Sequence, residues 1–338
     1  MSKTFPDIQL SSISRYRGEL MGMAMLFIIL FHVWLPRGDM FFGLRRCGNV
    51  GVDMFLFLSG IGLWYSWSKR PALVQYFIRR YVRVYPAWLI IACLYYIPRF
   101  PKGGNMGDLL GDILINWDFW LNCELHFWYI PTIMMLYTIA PFYMRLIERH
   151  TAYRWLPLIA IIWCVMVQWV TPIHEAVGHL EIFWSRIPIF LIGINMGKPI
   201  MERRTIEAQS IGLVAIIFLI TFGTCVYLEQ VKHGTFPLFI ERMLYIPLTV
   251  TGLLLLAHTL AHAPKWLNTF CRFIGTISLE VYLIHVHFVL AYILPYRLGY
   301  WLTVIFVTAC TIPLAWLLHH ALSPLQSFLI NKTKNIQS

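Results

Sequence analysis

His32 closes an uncharged run, Leu20 to Phe31, that begins just after Arg15, Arg17 and Glu19. Charged side chains in hydrocarbon cost about 2.5–3.5 kcal/mol each, so an ionisable residue inside such a run is a functional-site candidate. Imidazole takes protons near neutral pH, which suits a general base acting on a hydroxyl; it can also carry an acyl group transiently. A histidine that merely hydrogen-bonds a neighbouring helix is the plain alternative. A second constellation is Tyr76-Phe-Ile-Arg79-Arg80-Tyr-Val-Arg83-Val-Tyr85-Pro86. On a helix Arg79 and Arg83 share a face, with Arg80 beside them. Three guanidinium forks so spaced suit a pyrophosphate and a further phosphate; anchors at an anionic lipid surface would read the same way. A third is Asn49-Val-Gly51-Val-Asp53-Met-Phe-Leu-Phe-Leu-Ser59-Gly60-Ile-Gly62. Asp53 there can orient an imidazole, accept a sugar hydroxyl or simply open a helix. Ser59-Gly60 leaves room for close packing or a ligand.

The elements that must position these groups follow from composition. Hydrophobic residues make up 59 % of the 338 and charged residues 13 %, with mean hydropathy +0.65. Soluble domains carry roughly 25 % charged residues. Apolar runs of spanning length recur at 19–36, 50–67, 84–98, 126–144, 155–172, 182–197, 210–228, 242–261, 274–294 and 299–320. The fold class expected is therefore all-α: a polytopic transmembrane bundle of about ten spans. It is read as one domain over 1–338, with an N-terminal segment 1–18, the bundle 19–320 and a tail 321–338.

Lysines and arginines divide roughly two to one in favour of the loops on the N-terminal side. Both termini are accordingly expected in the cytoplasm. Lys3, Arg15, Arg17, Lys69, Arg70 and Arg79 to Arg83 then lie inside, and Arg37, Arg45, Arg46, Arg186 and Arg242 outside. The net charge of +11 follows mostly from this topology and needs no nucleic-acid partner. No CxxC pair, zinc-type His/Cys spacing or Walker glycine loop occurs, so neither a bound metal nor ATP-driven pumping is expected. Cys47 and Cys123 both fall in outside loops, where a disulfide is conceivable.

Taken together, these segments resemble the membrane acyltransferase-3 family. The resemblance rests on the Arg-led first helix ending Phe31-His32, on Gly51-Val-Asp53 to Ser59-Gly60, and on Arg79-Arg80-Tyr-Val-Arg83-Val-Tyr-Pro86. It extends to His126-Phe-Trp128-Tyr-Ile with Tyr137 and Pro141, and to Gly275-Thr-Ile-Ser278-Leu-Glu280-Val-Tyr282-Leu-Ile-His285. It implies an enzyme of the bacterial plasma membrane that moves an acyl group, usually acetyl, from cytoplasmic acyl-CoA. The implied acceptor is a hydroxyl of an envelope glycan or a lipid-linked sugar. The family pattern of Arg, ten residues, then His would put arginine at position 21. This chain has Met21 there, and Arg17 stands one turn earlier on the same face. No fused esterase-like domain is seen, so transfer is expected to finish in the membrane part or with a separate partner.

The roles expected are His32 as general base with Asp53 beside it, and Arg79, Arg80 and Arg83, with Arg17, holding the phosphates of acetyl-CoA. Ser59, His126, Trp128, Glu280 and His285 are expected to line the substrate site. His285 and His287 are two apart and cannot share a helix face, so at least one is expected to be structural. His319 and His320 are read as solvated or facing a helix end, and His174, His179 and His233 as solvated loop residues. Aromatics such as Trp117, Trp120 and Trp128 read as interfacial belt. The loop 99–124, with Asp108, Asp112, Asp118 and Glu124, is the expected acceptor contact. Two other classes stay open at this stage. A secondary transporter should show inverted repeats, and none is visible; a glycan flippase or polymerase should show a large outside loop, and none here is long.

Overall fold

The structure, a computed structural model, describes residues 7–334. Lys3 and the last four residues of the tail lie outside the described residues. Eight helices are long and apolar enough to cross a membrane, or nine if the pair Thr171–Trp184 and Ile187–Met201, bent by 43°, counts as one span. Each of the ten expected runs has a helical counterpart. The count falls below ten because the first run forms a helix of only 16 residues, α1 (Arg17–His32), about 24 Å long. It is followed by α2 (Phe42–Cys47), α3 (Val50–Trp67) and α4 (Leu73–Tyr96). The loop beyond carries α5 (Met106–Ile115) and α6 (Trp117–Asn122). Next come α7 (Tyr129–Arg149), α8 (Leu156–Trp169), α9 (Ile187–Met201), α10 (Ala208–Gln230) and α11 (Leu238–His262). The last are α12 (Lys265–Thr276), α13 (Ser278–Ile284) and α14 (Tyr300–Lys334).

The described strands are two residues each: Ile8–Gln9 pairs antiparallel with Thr205–Ile206 and pins the N-terminal segment beneath α9.

Burial sorts the helices. The span containing α3 is 78 % buried and forms the centre; that containing α10 is 11 % buried and faces outward. Outward Leu219, Ile220, Trp301 and Phe328 are more than half exposed, as hydrocarbon rather than water requires.

α1 lies between α3 and α12. Its contact with α12 is backbone on backbone: a Cβ at Gly22 would stand 1.9 Å from the Cys271 carbonyl oxygen, and one at Gly275 2.0 Å from that of Gly18. Small residues let helices approach this closely in a membrane, where packing rather than the hydrophobic effect joins them. Gly22→Val should therefore push α12 off α1 and lower stability by about 1–3 kcal/mol or more. A thermal-inactivation curve of the purified protein in detergent checks this; an unchanged midpoint would refute the close-contact account.

α1 stops because Val33 turns extended and Pro36 follows. Arg45 Nη1 donates to the carbonyls of Phe31 (2.8 Å) and Val33 (2.9 Å), satisfying groups a helix end leaves open.

Candidate active site

One cavity of about 410 Å³ opens among α1, α3, α4, α7, α13 and α14, lined by Arg17, Met21, Ile28, Ser59, Arg80, Arg83, Tyr129, Tyr137, Glu280, Tyr282 and His319 among others. At 100° per residue, positions 17, 21, 28 and 32 of α1 fall within about 60° of one another. The stripe that walls the cavity thus ends in His32, ~22 Å from Arg17 along the axis.

At one end sit the cations. Arg17 Nε donates to the Leu58 carbonyl at 3.1 Å. Arg80 and Arg83 enter from α4, one turn apart, the Arg80 guanidinium 5.8 Å from the Tyr76 ring. Among the described residues, the arginine ion pairs fall on Arg46, Arg186, Arg204, Arg242 and Arg272. Among the described residues none falls on Arg17, Arg80 or Arg83, so their charge is available to an anion. Arg17 and Met21 both line the cavity, which agrees with a single helix face carrying either arginine position. Arg79 is different: it does not line the cavity, because the face of α4 turned inward runs through 80, 83 and 84.

His32 and His285 do not themselves line the cavity; behind its Ile28 and Tyr282 wall, His32 Nδ1 stands 2.8 Å from the Ile28 carbonyl and 3.2 Å from His285 Nε2. His285 Nδ1 stands 2.9 Å from the carbonyls of Val281 and Tyr282. Carbonyls only accept, so both Nδ1 atoms carry the hydrogen. His285 Nε2 is then an acceptor, and His32 Nδ1–H is shared between it and the Ile28 carbonyl. This assignment leaves His32 Nε2 with a free lone pair, the form a base requires. Ile28 and Tyr282, whose carbonyls fix the two rings, both line the cavity.

The chain after α13 makes a π-helical turn, His285–Leu290, a local widening often found at functional sites. It parts the two histidines as expected. His285 meets His32, while the His287 ring packs 4.8 Å from Tyr95, 4.6 Å from Phe127 and 5.0 Å from His126. His126 itself is about half exposed, 3.9 Å from Glu124, and does not line the cavity.

Asp53 does not orient the imidazole. It is fully buried and ion-paired with fully buried Arg186; Trp128 and Tyr245 flank that guanidinium, each 5.9 Å away. Asp53 and Trp128 thus belong to a polar knot joining α3, α9 and α11 rather than to the cavity wall. Arg186 and Arg242, expected in outside loops, are both buried and paired, Arg242 with Glu181. Lys/Arg counting reads every cation as a loop residue, which a partnered buried arginine is not.

Two further expectations are corrected. His319 is not merely solvated: it lines the cavity, and its Nδ1 donates to Glu280 Oε1 at 2.9 Å. The signal for it was the same as for His32, an ionisable residue inside an apolar span. His233 is tied to buried Glu229 rather than left in solvent. The disulfide left open between Cys47 and Cys123 is not formed: both, like the other cysteines, are free. Tyr129 and Tyr282, not singled out in the sequence as site residues, form the inner wall, where the Tyr129 backbone N–H donates to the Tyr282 hydroxyl at 3.2 Å.

In the loop 99–124, Asp112 accepts the backbone N–H of Asp118 at 2.9 Å, and burial pushes its carboxyl up to about 6. This carboxylate holds α5 to α6 rather than facing solvent.

The cavity of this helical membrane bundle thus gathers Arg17 from α1 and Arg80 and Arg83 from α4, and the α1 face that walls it continues to His32. Residues 20–320 match the family described as an acyltransferase domain, acyltransferase-3, and the chain belongs to that family. No curated protein and no solved structure matches it.

Proposed function

We propose that this protein moves an acetyl group from cytoplasmic acetyl-CoA to a hydroxyl of an envelope glycan or lipid-linked sugar in a bacterial plasma membrane, with both termini cytoplasmic. The observation that carries this reading is the single face of α1 that runs from the arginine end of the cavity to His32.

In this reading Arg80 and Arg83, with Arg17, take the phosphates of acetyl-CoA, and Arg79 adds charge outside the cavity. The pantetheine arm lies along the α1 stripe past Ser59 and Tyr129, toward His32. The acceptor hydroxyl meets His32 Nε2, which removes its proton as oxygen attacks the thioester carbonyl carbon. The carbon–oxygen bond forms, the carbon–sulfur bond breaks, and the proton passes from His32 to sulfur, releasing the thiol of coenzyme A. A thioester is already activated, so positioning and proton transfer carry the catalysis. His285 holds His32 in the reactive tautomer. Glu280 and His319 face the same cavity and suit the amides of the arm.

The test has two readouts. Labelled acetyl-CoA should bind the purified protein, and Arg80→Gln and Arg83→Gln should each weaken that binding about 10- to 100-fold, as the loss of a charge-assisted hydrogen bond predicts. NMR of envelope glycans before and after mild alkali should show an ester present with the wild-type gene and lost with the double variant. Unchanged binding in both variants would overturn the placement of acetyl-CoA.

A further inference from the structure

The cavity that holds Arg17 has a direction. α3 runs opposite to α1: a Cβ at Gly62 would meet the Arg17 guanidinium at 2.7 Å, and one at Gly51 would meet Ile28 Cγ1 at 2.9 Å. On α1 the lining begins at Arg17 and stops at Ile28; on α3 it begins at Ser59 and stops at Val52. Ser59 and Val52 lie two turns apart on one face, ~10 Å along the axis. The Ile28 end is finished by Val52, Phe55, Tyr129 and Ile133, none of them charged. The one carboxylate in the wall, Glu280, is bonded to His319.

This end is also firmly built. The Tyr129 ring lies 6.3 Å from that of Phe55 and 5.4 Å from that of Tyr282. Beside Val52, a Cβ at Gly51 would collide with the Ala24 carbonyl, so α1 and α3 touch backbone to backbone there. Beyond that contact lies a second cavity of about 1060 Å³, lined on these helices by Phe27, Leu30, Val50 and Met54. Those residues stand about 100–160° round their helices from Ile28 and Val52. The two cavities share no lining residue. A hydrocarbon chain entering past Arg17 therefore meets the Ile28–Val52 end with no route into the larger apolar space.

We infer that Val52 is the stop that sets the length of the donor's acyl group, with Ile28 facing it from α1. The inference rests on the acyl-transfer reading above and adds to it the residue that fixes donor specificity. An acetyl methyl resting on Val52 puts the thioester against the Ile28 and Tyr282 wall, behind which His32 stands. A chain two methylenes longer must displace Val52 or draw the thioester back toward the arginines. Packed interiors resist the first, and the second takes the reacting carbon away from His32. An acyl group ending in a carboxylate is excluded on a separate ground. Its charge would be buried among uncharged side chains, where an unpaired ion is costly.

The experiment measures competition of unlabelled thioesters against labelled acetyl-CoA on the full chain in nanodiscs. Butyryl-CoA and succinyl-CoA carry acyl chains of the same length and differ in charge. With the wild-type protein both should compete at least tenfold less well than acetyl-CoA, since one methylene in an apolar pocket is worth about 10- to 200-fold. Val52→Ala should bring butyryl-CoA to within a few-fold of acetyl-CoA and leave succinyl-CoA excluded. Val52→Phe should do the reverse, lowering acetyl-CoA toward the affinity of free coenzyme A. Ile28→Val, a milder change on the facing helix, should relax discrimination against butyryl-CoA several-fold even if Val52→Ala folds poorly.

Butyryl-CoA or succinyl-CoA competing as well as acetyl-CoA with the wild-type protein would overturn the proposal. So would discrimination unchanged in both Val52→Ala and Ile28→Val, or relaxed equally for both longer chains, which would mean general loosening rather than a stop. A wild-type protein that binds neither acetyl-CoA nor free coenzyme A would strike the acyl-transfer reading itself, and this proposal with it, which keeps the two failures distinguishable.

Discussion

Replacing His32 by glutamine or alanine should lower the rate of acyl transfer by about 10²–10⁴-fold, the span that removal of a positioned general base produces. Binding of acetyl-CoA should stay within a few-fold of wild type, because Arg17, at the proposed phosphate end of the cavity, lies ~22 Å away along α1. The cost to folding should be small: His32 is only partly buried, and its ring makes hydrogen bonds to one carbonyl and one histidine. His32→Gly adds a sharper readout, since free imidazole should diffuse into the vacated space and restore part of the rate. A structural histidine would not respond that way. Single-turnover quenching with labelled acetyl-CoA separates the two chemistries open to the ring, because label on the wild-type protein that is lost in acid or in neutral hydroxylamine, and is absent from His32→Gln, would indicate an acyl-histidine. Wild-type kcat in His32→Gln would remove His32 from the mechanism.

The largest effect on stability is expected at the Asp53–Arg186 pair. Both side chains are fully buried, and removing one partner strands a charge where water cannot reach it. Such a break costs about 3–5 kcal/mol. Asp53→Ala should therefore lower the thermal-inactivation midpoint by roughly 5–10 °C and reduce the folded yield. Replacing both partners by apolar residues of similar volume, Asp53→Leu with Arg186→Met, should recover most of the loss, since desolvation of the pair largely cancels its attraction. A double-mutant cycle measures the coupling. If the single and the double variant lose stability equally, the ion pair is not what joins α3 to α9. Activity in the stable double variant carries a second message: acyl transfer retained there would assign Asp53 to architecture, in keeping with its absence from the cavity wall.

Much of the architecture was legible from one dimension. A chain with 59 % hydrophobic residues and repeated apolar runs can satisfy its backbone in a bilayer only as helices, and the runs lie where the helices lie. Position 17 could be placed on the face of His32 by helix geometry alone, and both Arg17 and Met21 line the cavity. The family was equally readable, because its motifs sit inside those helices.

Partnership was not legible. A charged residue in an apolar span announces that it needs a partner, and sequence spacing cannot say which one when the partner lies 133 residues away, as Arg186 does from Asp53. The same holds for the Glu280–His319 contact, between positions 39 apart on two helices. It also holds for His32 and His285, 253 apart, which meet because α13 packs against α1.

The sequence by itself therefore determined the class of solvent, the helical material and the residue types available for chemistry, since these depend on composition and on periodicity within a single helix. Only the tertiary structure decided that Arg80 and Arg83 rather than Arg79 share a cavity with Arg17. It alone decided that Asp53 serves Arg186, and that His32 keeps Nε2 free. Those outcomes depend on which helix faces meet, and that is set by packing among all the helices at once.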